Sequence, residues 1–186
     1  AGIDLFRSRT DFQSEASFDE TSTGGTLRMG YPLTENLRHA VRYTFRVDEI
    51  EDVDDEASQF IKDEEGSRST SLVGQTFTYD RRDVRFLPSE GYYLRVDQDV
   101  AGLSGDNRFL RHEGRAEYYY PFFPDVVLNL GASAGYIFGF AGEDVRLSNR
   151  FFIGGNNLRG FQFGGIGPRD SETDDKLGGN LYYVGT

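Results

Sequence analysis

The sequence predicts an all-β chain: an antiparallel transmembrane β-barrel wall of about eight strands. Three observations point there. Long segments alternate apolar and polar residues with a period of two. The connections between them alternate short and long, and aromatic residues crowd beside the short ones. Composition supports this reading. The 186 residues carry a net charge of −11, with 27% charged, 37% hydrophobic and 15% aromatic residues, 23 Gly, no Cys and no Trp. A mean hydropathy of −0.55 and the lack of any apolar run near ~18 residues exclude a transmembrane helix. The aromatic content argues against disorder. Zero Cys removes disulfide frameworks, thiolate zinc sites and cysteine nucleophiles. The acidic balance argues against a nucleic-acid partner, which needs clustered Lys and Arg.

Each strand follows from its pattern. Residues 2–12 open with Ile3 and Leu5 on one face, and residues 26–33 place Leu27, Met29, Tyr31 and Leu33 together. Residues 37–48 alternate sharply: Leu37, His39, Val41, Tyr43, Phe45 and Val47 against Arg38, Ala40, Arg42, Thr44, Arg46 and Asp48. Residues 71–80 set Val73, Phe77 and Tyr79 on one side. Residues 91–101 set Tyr92, Leu94, Val96 and Val100 against Tyr93, Arg95, Asp97 and Asp99. Residues 109–120 gather Arg111, Glu113, Arg115 and Glu117 on one face, and 126–140 run from Val126 and Leu128 to Phe138 and Phe140. A last strand is read at 177–186, with Leu181 and Tyr183.

Periodicity alone does not say whether the apolar face meets a core, as in a soluble sandwich, or lipid, as in a membrane barrel. Strand length, loop alternation and girdle aromatics choose the barrel. Strands of roughly 10–14 residues suit a tilted bilayer span, whereas soluble strands cluster near ~5–6. Short connections fall at Thr34–Asn36 and Pro121–Asp125, with a moderate one at Arg81–Gly91. Longer ones fall at 13–24, 49–70 and 141–176, with a modest one at 102–108, the order expected for periplasmic turns and external loops. Tyr118-Tyr119-Tyr120-Pro121-Phe122-Phe123 and Tyr92-Tyr93 stand where an interfacial girdle belongs.

A basic side chain on the lipid side costs ~2–4 kcal/mol near the midplane, so a one-residue slip of 37–48 is strongly disfavoured. The lumenal set is therefore Arg38, Arg42, Arg46, Arg95, Asp97, Arg111, Glu113, Arg115 and Glu117. Eight strands are enough to close a small barrel. The strand-like ends, without turn signals or a secretory leader, and the length of 141–176 favour instead a partial barrel excised from something longer.

The segment Phe151-Phe152-Ile153-Gly154-Gly155-Asn156-Asn157-Leu158-Arg159-Gly160-Phe161-Gln162-Phe163-Gly164-Gly165-Ile166-Gly167-Pro168-Arg169-Asp170 is odd for a solvated loop, with four Phe and two Ile amid six Gly. Its residues leave two readings open: a plug folded into the lumen, with Arg159 seeking a carboxylate, or a Gly-rich cap whose aromatics close the barrel mouth.

This segment resembles the signature loop of the BamA family of outer-membrane protein insertases, whose tip reads Val/Leu-Arg-Gly-Phe after a Gly-Gly pair. Phe77-Thr78-Tyr79-Asp80-Arg81-Arg82-Asp83, with Phe86, Pro88, Gly91 and Tyr92, is similar to the family's strand–turn–strand motif. Leu177-Gly178-Gly179-Asn180 resembles the strand after the loop. The wording around Asn156-Asn157-Leu158-Arg159 is similar to alphaproteobacterial members. The resemblance covers nearly the whole chain. It implies about eight strands of a sixteen-stranded barrel, with 141–176 as an inward-folded external loop and periplasmic POTRA domains outside residues 1–186. It further implies an integral protein of the cell outer membrane that inserts other β-barrel proteins and performs no enzymatic step. The implied partners are the lipid bilayer, unfolded outer-membrane clients and periplasmic lipoprotein subunits. The implied functional tip is Leu158, Arg159, Gly160 and Phe161: Arg159 as lumenal anchor, Gly160 as close-approach hinge, Phe161 as apolar packing. Two alternatives remain, a two-partner secretion or translocation barrel and an autonomous eight-stranded structural barrel.

Other candidates have plainer readings. The run Asp48-Glu49-Ile50-Glu51-Asp52-Val53-Asp54-Asp55-Glu56 fails the calcium-loop template, because Ala57 stands where Gly is needed. It reads as a solvated acidic loop, with Phe60 and Ile61 able to fold over the barrel mouth. His39 and His112 fall in otherwise apolar sets, so interfacial or lipid-facing positions are expected rather than metal ligation. Arg111, Glu113, Arg115 and Glu117 read as an ion-pair ladder rather than catalytic carboxylates. No cofactor and no metal is expected.

Overall fold

Period-two alternation over this length satisfies every backbone group only by pairing with neighbouring strands, and the chain does so throughout. The computed structural model describes residues 1–11, 19–155 and 158–186. It holds one eight-stranded antiparallel sheet in strict sequence order. The strands are β1 (Gly2–Asp11), β2 (Asp19–Pro32), β3 (Leu37–Glu51), β4 (Gly66–Asp80), β5 (Gly91–Gly105), β6 (Phe109–Phe123), β7 (Val126–Gly139) and β8 (Leu181–Gly185). One short helix, α1 (Gln59–Lys62), lies between β3 and β4. β1 and β8 stand at opposite ends of the order and do not pair, so the alternative of a closed eight-stranded barrel is overturned.

Several boundaries move. β2 begins at Asp19 rather than near 26, and β4 at Gly66 rather than 71, so much of the expected 13–24 and 49–70 loops is strand. Their Ser, Thr and Gly residues carry no apolar stripe, yet the neighbouring strand supplies the pairing: Thr21 sits opposite Glu49, and Arg68 opposite Asp48. Phe12 of the expected first strand, and the loop as far as Phe18, lie outside the described residues. The turn after β6 tightens to Pro124-Asp125, with Asp125 at φ 65. β8 is shorter than expected, since 177–180 belong to the preceding segment.

Alternation separates the two faces, apart from one polar row on the outer side. Outward lie Ile3, Leu5, Leu27, Met29, Tyr43, Phe45, Val73, Leu94, Val96, Tyr118, Leu128, Leu130, Tyr136 and Phe138, all exposed. The buried clusters form against the other face. Ala101, Phe109, Ile137, Val145 and Phe151 make one, and Ile50, Ala57, Ile61, Leu147 and Leu177 the second. An exposed apolar wall backed by a polar concave face is the arrangement of a lipid-facing barrel wall. The girdle is thinner than the runs of aromatics suggest, because alternation sends only every second ring outward. Tyr92 stacks on Tyr79 at 5.7 Å outside, whereas Tyr93 turns inward beneath Arg82.

Placing a charge on the outer wall tests its environment. Val96→Arg in the intact protein should lower bilayer stability by about 2–4 kcal/mol, read as a lower urea midpoint in vesicles. A polar substitution of Ser133, on the concave face, should leave the midpoint nearly unchanged.

Candidate functional site

The concave face is a network of charges that neutralise one another over short distances. Arg42 on β3 reaches across β4 to Asp99 on β5, stands 3.7 Å from Asp97, and donates to Thr76 at 3.0 Å. Thr76 donates to Asp97 at 2.6 Å, and Arg95 grips the same carboxylate at 2.6 and 2.9 Å. On β6, Arg111 pairs with Glu113 and Arg115 with Glu117, both at 2.8 Å through Nε, as ion pairs two residues apart along one strand. Arg46 stands 2.9 Å from Asp48 and donates to Asn149 of the segment after β7 at 2.7 Å. Arg38 shares the alternate set of Arg42 and Arg46 on β3 and remains exposed.

The Arg42–Asp99 contact depends on a residue whose role the pattern did not flag. Arg42, Gly74 and Asp99 occupy one row across three strands. A Cβ at Gly74 would collide with both the Asp99 carboxylate and the Arg42 guanidinium. Gly74 is thus the gap through which a side chain spans two strands.

Residues 140–155 and 158–180 fold back onto this face. Phe151 is buried against Tyr182 at 4.8 Å and lies under the Arg111 guanidinium at 4.9 Å. A Cβ at Gly135 would strike the Tyr182 and Phe151 rings, so the bare backbone of β7 is the seat of this aromatic. Phe151 also pairs its backbone with Gly179, and Arg150 donates to the carbonyls of Val145 and Leu177 at 3.1 and 3.2 Å. Further along, Phe152 stacks on Phe163 at 5.8 Å, and Lys176, 6% exposed, donates to the Phe163 carbonyl at 2.6 Å. Of the two readings left open, the plug holds.

The tip departs from its expected roles in two places. Gly155 donates to the Phe161 carbonyl at 2.7 Å, closing the tip, and Ile153 bridges Ile166 at its base. Leu158 is half-buried. Arg159 is exposed and lines a cavity of about 1100 Å³ between plug and wall, together with Arg42, Asp97, Arg111, Glu113 and Arg115. It makes no ion pair among the described residues. A Cβ at Gly160 would meet open space, so its glycine answers a φ of +92 and not a close approach. The close approach is at Gly154, where a Cβ would collide with the Gln162 carbonyl. Phe161 is 53% exposed, and the packing expected of it falls to Phe152 and Phe163. Asn156 and Asn157 of the motif lie outside the described residues.

The acidic loop between β3 and β4 is not simply solvated. Ser58 caps α1, and its backbone N–H donates to Asp175 of the plug at 2.7 Å. Ile61, 1% exposed, inserts among Ile50, Leu147 and Leu177. Glu64 accepts from Arg146 and from the Leu147 amide, both at 3.2 Å. Ile61 therefore packs inward against the plug, while Phe60 is 55% exposed. The expected inward fold of this loop is thus met at Ile61 and not at Phe60; period-two reading has no purchase on a single helical turn, so the Ser58 and Glu64 contacts are not legible in it.

Similarity to known proteins accords with this architecture. The whole chain, residues 1–186, matches the model of the Omp85 superfamily domain. The chain belongs to the Omp85 superfamily. It is 37% identical over its full length to the outer membrane protein assembly factor BamA of Neorickettsia risticii, and 30% identical over 98% of its length to that of Nitratidesulfovibrio vulgaris. It spans about a quarter of the length of these relatives. The crystal structure of BamA from Haemophilus ducreyi lacking POTRA domains 1–3 superposes with a TM-score of 0.83 at 18% identity, covering 97% of this chain and 40% of that one. That likeness shows the fold, a β-barrel wall.

Within this Omp85 wall, the motif turn after β4 is a built rim. Arg82 chelates Asp80 through two nitrogens at 2.9 Å and lies over the Tyr93 ring at 4.7 Å. Asp83 accepts from the Ser89 hydroxyl and amide and from the Glu90 amide. The Ser89 hydroxyl, chiefly, holds the Asp83 carboxyl down at about 2. Its folded value lies below the ordinary ~3.9. The turn is therefore steadied above pH ~4 and loosens as pH falls toward ~2. The protection of the Ser89 and Glu90 amides, measured as exchange relative to the intrinsic rate at each pH, should fall over that interval, and Asp83→Asn should abolish the dependence.

Two substitutions test the seat of the plug. Phe151→Ala should cost about 3 kcal/mol, as for a buried aromatic, and expose residues 140–180 to protease. Gly135→Leu should do the same by filling the seat.

Proposed function

We infer that this chain is the wall and signature loop of an integral outer-membrane insertase, one that assembles other β-barrel proteins into the membrane. One observation carries the reading. The segment that carries Leu158, Arg159, Gly160 and Phe161 lies against the concave face through Phe151, which sits on Gly135 and under Arg111, and Arg159 lines the cavity beside it. Membership of the Omp85 superfamily and the assembly-factor names of the BamA relatives support it.

In this reading Arg159 is the lumenal anchor and Gly160 supplies the left-handed backbone that turns it. The wall charges, from Arg42 to Glu117, keep the lumen wet and its shape fixed. Partners are the bilayer, unfolded outer-membrane clients and periplasmic lipoprotein subunits. The insertase performs no bond-breaking step and needs no cofactor: its work is templating and positioning, for which strand pairing is the natural chemistry.

Arg159→Ala in the full-length protein should lower the folded level of client barrels while the variant itself still inserts. Heat-modifiable migration of clients and of the variant, scored together, separates the two. Normal client levels would remove Arg159 from the mechanism.

A further inference from the structure

The outward face carries a feature that lipid does not explain. Five side chains on five successive strands form one hydrogen-bonded row across it. Tyr31 on β2 meets His39 Nδ1 at 2.8 Å, and His39 Nε2 meets Gln75 Oε1 at 3.2 Å. Gln75 Nε2 donates to Gln98 Oε1 at 2.8 Å, and Gln98 Nε2 meets His112 Nδ1 at 3.2 Å. His39 stacks on Phe77 at 4.4 Å, within the same outward set as Val73 and Tyr79. The row is therefore on the apolar wall, not the lumen.

It also climbs obliquely across the wall. Gln75 pairs with Gln98 and Gln98 with His112 as direct cross-strand partners, whereas Gln75 lies opposite Val41, two residues beyond His39. With strands about 4.8 Å apart and tilted about 40°, the row rises about 3 Å per strand and, with that two-residue step, roughly 15 Å from His39 to His112, over half of an apolar band of about 25 Å. The amide order sets the direction of the bonds. Gln75 donates to Gln98, so its oxygen accepts from His39 Nε2 and His39 Nδ1 accepts from Tyr31. At the other end, Gln98 donates to His112 Nδ1, which leaves the proton on His112 Nε2.

Each glutamine keeps one N–H and one oxygen lone pair unspent, and His112 Nε2–H has no partner among the described residues. Hydrocarbon satisfies none of these. Beside the row lies a smooth patch on β6 and β7, where Gly114 faces Ala134 and Ala116 faces Ala132. Small residues let a second wall approach closely enough for such groups to meet.

We propose that this row is a lateral contact between two copies of the protein within the membrane. A glutamine amide with a donor and an acceptor free is its own complement, which is what a two-fold interface requires. Two identically inclined rows, related by an axis along the membrane normal, cross at a single point. The central pair of the row, Gln75 and Gln98, is that point. The contact is independent of the insertase reading, since it uses the opposite face of the wall.

Oxidative cross-linking of the full-length protein in its native outer membrane tests this. The segment has no Cys of its own, so Gln98→Cys places one thiol at the crossing point. A disulfide-linked species of twice the monomer mass is expected, with little from Leu128→Cys on the same outer wall. Adding Gln75→Leu to Gln98→Cys should lower the dimer yield about tenfold, the scale of a hydrogen bond between membrane segments. Heat-modifiable migration confirms that each variant folds. Monomer alone, equal yields at 98 and 128, or cross-linking only to a protein of another mass would overturn the proposal. So would ready labelling of the Gln98→Cys thiol by a water-soluble maleimide without dimer, which would mean that water and headgroups cover the row.

Discussion

A charge in hydrocarbon has nowhere to go, and the rest of this structure depends on that constraint. Period-two alternation sends Arg38, Arg42, Arg46, Arg95, Arg111 and Arg115 to one side of the sheet, with Asp97, Asp99, Glu113 and Glu117 beside them. Confined to one concave surface, the two signs neutralise over a strand or two. The concave face is kept polar and electrically balanced as a result, and the segment after β7 lies against it through Asn149 and Phe151.

Much of the fold was legible in the sequence because alternation is a property of the strand itself. Residues 37–48 and 126–140 declare their faces without any partner. The strand extensions at 19–25 and 66–70 do not, since Ser, Thr and Gly there acquire strand structure from what lies opposite. The plug was half legible. Its aromatics and glycines marked it as something packed, but which ring finds which seat depends on residues far apart in the chain. Phe151 sits on Gly135, and neither residue announces the other. Gly160 and Phe161 show the same limit: a motif names the residues that matter, whereas φ and burial decide what each one does.

Glycines on the concave face serve as sockets. Gly74 makes way for Arg42 and Gly135 receives Phe151. In a soluble sheet such residues would read as weak points that cost backbone entropy. Here each absent side chain is matched by one from elsewhere: Gly74 by Arg42 and Asp99, Gly135 by Phe151 and Tyr182.

The plug is tied to more than one part of the wall. Phe151 is held by β6, β7 and β8, whereas Arg146, Leu147 and Asn149 before it and Asp175 beyond it are held by β3 and the β3–β4 connection through Glu64, Ile61, Arg46 and Ser58. Strands that never pair with one another are thereby fastened through a single stretch of chain, like staves by a hoop laid on the inside.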